Sequence, residues 1–190
     1  MLNNLRPYIA KYLDPISEKI NINPNIITLT GLILAFISGY LFYRQELIFG
    51  AILILISGVL DMIDGAVARN TDNVTKFGGF LDSTTDRFSD AAIIIGIVAG
   101  GYTNWFVGIL AVHASITVSY TRARSEVENI PCTVGIGERA ERLTIIVVGA
   151  IISAYFGSEL MNWFMVLLVI IGYFTVLQRV AHTWKSMQKQ

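Results

Sequence analysis

Apolar runs, each near the ~20 residues that cross a hydrocarbon core, alternate with short polar connections at positions 25–43, 47–68, 78–100, 103–121, 141–157 and 160–180. Ahead of them, Leu5, Tyr8, Ile9, Tyr12, Leu13, Ile16 and Ile20 recur at helical spacing between Arg6, Lys11, Glu18 and Lys19, with Pro7 and Pro15 limiting the run. That pattern predicts an amphipathic helix lying on a membrane surface rather than crossing it. Asn21-Ile22-Asn23-Pro24-Asn25 then breaks the period and offers a helix cap. The expected fold is an all-α integral membrane protein, with six transmembrane helices preceded by an N-terminal interfacial amphipathic helix. It is expected to form one domain over 1–190, with 1–22 interfacial and 23–182 the six-helix core.

Composition agrees, since 54% of the 190 residues are hydrophobic and 15% charged, which is outside the balance of a soluble domain. The single Cys132 excludes an internal disulfide and a cysteine-based structural metal site. The first twenty residues lack the uninterrupted apolar core of a cleavable signal peptide. Of the 14 Lys and Arg residues, only Arg44 falls in a connection on the side opposite the N-terminus. The connections near 102–104 and 157–159 have none. The positive-inside rule therefore makes the other side cytoplasmic and predicts a multi-pass protein of the cell (plasma) membrane with both termini in the cytoplasm. Trp105, Trp163 and Trp184 fit an interfacial aromatic belt.

Two stretches break the apolar pattern with carboxylates. Asp61, Asp64, Gly65 and Ala68 share one helical face, as do Gly78, Asp82 and Asp86. An ionisable group at membrane depth is a functional hypothesis by default. Four converging carboxylates repel one another unless cations neutralise them, and a set of oxygen ligands with no His or Cys points to Mg²⁺ or Mn²⁺ rather than zinc. A pair of such ions suits displacement at phosphorus. Arg69 and Lys76, between the stripes, could meet a phosphate, and the small residues Gly65, Ala68, Gly78 and Gly79 would let a nucleotide approach the helices. Asp72 and Asp90 are read as helix-end or solvated residues, Gly96 and Gly100 as helix-packing positions, His113 as a hydrogen-bonded packing residue and His182 as a surface one.

Together the stripes spell D-x2-D-G-x2-A-R-x8-G-x3-D-x3-D, which resembles the signature of the CDP-alcohol phosphotransferase family at every fixed position. The resemblance implies a homodimeric integral membrane enzyme that moves a substituted phosphate from a CDP-alcohol to a second alcohol and releases CMP. Carried over by position, it implies that Asp61, Asp64 and Asp82 ligate two Mg²⁺ ions, Mn²⁺ being possible, with Asp86 both ligand and general base. CDP-lipid contacts are implied for Gly65, Ala68, Arg69, Thr75 and Gly78, and for the turn Asn25-Ile26-Ile27-Thr28.

Ser119-Tyr120-Thr121-Arg122-Ala123-Arg124-Ser125-Glu126 and Glu138-Arg139-Ala140-Glu141-Arg142-Leu143 are similar to segments of the phosphatidylinositol phosphate synthases and archaetidylinositol phosphate synthases. That likeness implies inositol phosphate as the acceptor, its phosphate bound by Arg122, Arg142 and Arg179. Bacterial members carry Lys where Arg122 stands, so a fork replaces a point charge. The donor tails, diacylglycerol or archaeol, stay open. Glycerol-3-phosphate or serine as acceptor is the alternative within the class, and a cation or proton transporter the alternative outside it. A transporter would need polar groups continuing toward the outer face, and the last two segments offer almost none. The expected partners are therefore membrane lipid, the two substrates and a second copy of the chain, with no nucleic acid.

Overall fold

The first described helix starts where its cap is. Asn23 accepts a hydrogen bond from the Asn25 N–H at 3.0 Å, and Pro24 takes the first turn, where its missing N–H leaves nothing unsatisfied. The computed structural model describes residues 22–70 and 74–188, and the regular structure among them is six helices. These are α1 (Pro24–Tyr43), α2 (Leu47–Asn70), α3 (Lys76–Ala99), α4 (Trp105–Val127), α5 (Arg139–Phe156) and α6 (Leu160–Met187). The expected interfacial helix over 1–22 lies, Ile22 apart, outside the described residues, and so does Asp72.

By length and composition α1, α2 and α6 are able to cross a membrane. Helices α3, α4 and α5 have 24, 23 and 18 residues, about 27–36 Å at the α-helical rise. Charge at one end dilutes their apolar character: Lys76, Asp82 and Asp86 in α3, Arg122 and Arg124 in α4, Arg139 and Arg142 in α5. The outward faces carry large apolar residues such as Ile33, Phe36, Phe49, Leu55, Ile109 and Ile170. In water such a surface would be a liability; facing acyl chains it needs no cover.

The chain divides into two units, Met1–Gly96 and Ile97–Gln190. In the first, α1 and α2 are antiparallel and joined through a turn in which Gln45 takes φ 65°. Side-chain hydroxyls tie the two together where apolar packing has no water to escape from. Ser38 Oγ donates to the Gly50 carbonyl at 2.8 Å and Ser57 Oγ to that of Gly31 at 3.0 Å. Helix α3 runs parallel to α1 and meets it at Gly39 and Gly96. A Cβ at Gly96 would lie 2.1 Å from the Gly39 oxygen, so these backbones touch because neither residue has a side chain. The expectation that Gly96 packs helices is met inside the chain.

In the second unit α4 and α6 run parallel and α5 antiparallel to α6, after a turn at Gly157 with φ 128°. Ala111, Ala114, Val118, Ile146, Ala150, Met165 and Leu168 form its core. His113 Nδ1 and Tyr173 Oη are 2.9 Å apart between α4 and α6, which bears out the hydrogen-bonded reading of His113.

Candidate active site

Helix α2 brings Asp61 and Asp64 to its last turns, and α3 starts after a short connection and returns Asp82 to them. One carboxylate oxygen from each of the three lies within 4.8 Å of the others; Asp64 is buried, Asp61 and Asp82 half-buried. A cation between like charges this close relieves their repulsion, and an all-oxygen donor set matches a hard divalent ion. The donor set of these three residues is compatible with a divalent-metal site.

The same end of the unit gathers several positions expected to meet a nucleotide. Thr75 caps α3 by accepting the Gly78 N–H at 2.9 Å. A Cβ at Gly78 would stand 3.1 Å from Thr75 Oγ1 and 3.4 Å from Asn25 Oδ1, so glycine there lets a side chain of α1 approach the first turn of α3. A Cβ at Gly65 would stand 3.3 Å from an Arg69 guanidinium nitrogen, which puts that cation over the glycine face of α2. Nothing lies within 4 Å of the corresponding point at Gly79, the open place in this cluster. In the Asn25 to Thr28 turn, Ile26 is exposed, Ile27 is buried, and Thr28 Oγ1 donates to Asp64 Oδ2 at 2.6 Å. Ala68 is half-buried on α2.

Asp86 lies one turn beyond Asp82 on α3, half-buried, with Oδ2 3.6 Å from an Arg87 guanidinium nitrogen. Asp90, one turn further, corrects an expectation: it is buried rather than solvated, because it continues the face of Gly78, Asp82 and Asp86 into the packed part of α3.

The three arginines expected to bind an acceptor phosphate have different surroundings. Arg122 is exposed and pairs with Glu126 at 2.9 Å, one helical turn on. Arg142 is buried, 3% exposed, and donates to the Gly137 carbonyl at 3.0 Å. Arg179 is 2% exposed; its Nε donates to Val134 O at 3.0 Å, one terminal nitrogen donates to Val118 O, and the other is 3.8 Å from Glu138. Arg179 nonetheless lies within electrostatic range of Arg122 and Arg142 as well as of Glu138, so the three arginines fall within one unit.

Between α4 and α5 the 128–138 segment is held to α6 by a row the sequence reading did not assign. Thr175 Oγ1 accepts from Gly137 N at 2.9 Å and Gln178 Oε1 from Ile136 N at 3.3 Å. His182 Nε2 meets Pro131 O at 3.1 Å, so this half-buried surface histidine also anchors the loop. Thr175, Gln178, Arg179 and His182 are offset by three, four and seven. Polar residues at that spacing in an otherwise apolar helix were the signal for a shared partner.

A membrane-type helical fold with three converging carboxylates suits a metal-dependent transferase acting at phosphorus. Residues 21–177 match the model of the CDP-alcohol phosphatidyltransferase family, and the chain belongs to that family. It is 45% identical to the archaetidylinositol phosphate synthase of Methanothermobacter thermautotrophicus over 99% of this chain and 96% of that one. Among solved structures, the phosphatidylinositol phosphate synthase of Mycobacterium tuberculosis with CDP-DAG bound is similar at a TM-score of 0.81 and 28% identity, over 92% of this chain and 94% of that one. The same enzyme in complex with manganese and citrate gives a TM-score of 0.81 at 28% identity, over 90% of this chain and 88% of that one.

Proposed function

We propose that this protein transfers the phosphatidyl-type group of a CDP-lipid to a hydroxyl of inositol 1-phosphate, releasing CMP, in phospholipid biosynthesis. The observation that carries the reading is the convergence of Asp61, Asp64 and Asp82 within 4.8 Å in a chain 45% identical to an archaetidylinositol phosphate synthase. That likeness favours archaeol as the donor's tails over diacylglycerol.

In this reading Asp61, Asp64 and Asp82, joined by Asp86, hold two divalent ions, Mg²⁺ or Mn²⁺. Those ions would supply charge neutralisation to the pyrophosphate and its departing CMP. Arg69, Thr75 and Asn25, gathered by the small faces of Gly65, Ala68 and Gly78, bind the cytidine diphosphate, and the turn through Ile26, Ile27 and Thr28 borders it. Asp86 accepts the proton of the attacking inositol hydroxyl. The hydroxyl oxygen bonds to the lipid-side phosphorus, the bond from that phosphorus to the bridging oxygen breaks, and CMP leaves. Arg122, Arg142 and Arg179 bind the acceptor's phosphate; the electrostatic range of Arg179 reaching both of the others supports this.

All six helices are taken to span the membrane, with the N-terminal segment on its surface, the carboxylates at the cytoplasmic face, both termini in the cytoplasm, and the protein a homodimer of the plasma membrane. The family match runs across the division at Gly96, which supports one catalytic domain over the chain. The test is CMP release from CDP-archaeol or CDP-diacylglycerol with Mg²⁺, offering inositol 1-phosphate, glycerol-3-phosphate and serine in parallel. Turnover with inositol 1-phosphate alone is the expected result. Equal or greater turnover with another acceptor would overturn the acceptor assignment.

A further inference from the structure

We propose that Thr28 is a positioning residue for the metal site: its hydroxyl holds the carboxylate of Asp64 in its ligating orientation rather than serving as a donor to the nucleotide. The inference rests on reading the carboxylates as a divalent-metal site.

Its basis is the 2.6 Å hydrogen bond from Thr28 Oγ1 to Asp64 Oδ2, which joins α1 to α2. Asp64 is the buried member of the three and therefore has little water to orient it. A partner on the protein then sets its rotamer, as hydrogen bonds around metal ligands generally do. Thr28 is well suited to that role. Its Oγ1 also lies 3.1 Å from the Pro24 carbonyl, one turn back, which competes for the same proton. The hydroxyl has one proton, and the shorter contact is to the charged acceptor, where a hydrogen bond is stronger. With that proton given to Asp64, the hydroxyl has none for a phosphate oxygen.

The arrangement also explains why the start of α1 matters to a site whose ligands all come from α2 and α3. The Asn23 cap fixes the first turn of α1, the first turn fixes Thr28, and Thr28 fixes Asp64.

The experiment measures Mn²⁺ alone binding to the full-length protein in detergent, by the loss of the free-ion paramagnetic resonance signal, for wild type, Thr28→Val, Thr28→Ser and Thr28→Cys. Valine keeps the shape and removes the hydroxyl; it should weaken Mn²⁺ about tenfold, within the range seen when partners of metal ligands are removed. Serine, which keeps the donor, should stay within about twofold. Cysteine, similar in size and a weak donor, should resemble valine and serves in its place if Thr28→Val does not fold. At saturating Mn²⁺, CDP should bind wild type and Thr28→Val alike. Unchanged Mn²⁺ affinity in Thr28→Val, with CDP binding weakened at saturating metal, would make Thr28 a nucleotide contact and overturn the proposal. Failure of wild type itself to bind Mn²⁺ would instead overturn the metal site on which it rests.

Discussion

Arg179 donates through Nε to the main-chain oxygen of Val134 at 3.0 Å, which ties the middle of α6 to the connection between α4 and α5. A guanidinium 2% exposed, with its other nitrogens turned to Val118 O and Glu138, has a structural function whatever else it binds. Removing it takes a charged donor from Val134 O, from Val118 O and from the field of Glu138. Arg179→Ala should lose about 3–5 kcal/mol of stability, as for other broken buried pairs, read as a large drop in the thermal midpoint in detergent. Arg122→Ala, at an exposed pair, should leave the midpoint nearly unchanged. If Arg122 meets the acceptor, that variant should still raise the inositol phosphate KM far more than the CDP-lipid KM.

Asp86→Asn keeps the shape of the side chain and removes the proposed base. CMP release should fall about 10²–10⁴-fold, the range for a lost general base, while CDP-lipid binding at saturating Mg²⁺ changes little. Substantial residual turnover, measured by CMP formation, would remove Asp86 from the base role.

Metal removal offers a separate check. EDTA should abolish CMP release, and Mg²⁺ or Mn²⁺ should restore it, because an all-oxygen donor set suits hard cations. Asp82→Asn should shift the Mg²⁺ activation curve to higher concentration, since it withdraws one of the three converging carboxylates.

Two glycines of α3 make a matched pair for stability. Gly96→Ala puts a methyl 2.1 Å from the Gly39 oxygen and must part α1 from α3, at about 1–3 kcal/mol. Gly79→Ala meets nothing within 4 Å and should be neutral or slightly stabilising in a helix. Thermal unfolding of both in one detergent is the comparison. Gly79→Ala should, however, weaken the donor if a nucleotide lies against that open face.

Thr175→Val tests the loop anchor. It leaves Gly137 N–H without its 2.9 Å acceptor in a buried place, which should destabilise by about 1–3 kcal/mol. Hydrogen exchange should rise at the amides of 130–137 while those of α1 and α2 stay protected.

Hydropathy located all six helices but misjudged their ends. The expected fourth segment stopped at Thr121, whereas α4 continues to Val127 through Arg122, Arg124 and Glu126. There the helix is carried by pairs one turn apart, Arg122 with Glu126 and Arg124 with Glu128, which an apolar criterion does not register. The same holds for α6, which runs past 180 to Met187. Asp90 was misread for a related reason: one residue's polarity says nothing of what its helix face meets.

What the chain determined by itself was the local and periodic part. Helical spacing put Asp61 with Asp64, and Asp82 with Asp86, because 3.6 residues per turn is a property of the backbone. The order of segments then followed from the length an apolar run needs to cross a bilayer. Only the tertiary structure decided which carboxylates converge, that Thr28 turns to Asp64, and that Arg179 and Arg142 are buried against the 128–138 connection while Arg122 stays exposed. Those outcomes depend on contacts between residues tens of positions apart, set by how small faces such as Gly39 and Gly96 let helices approach, and no period along a single helix encodes them.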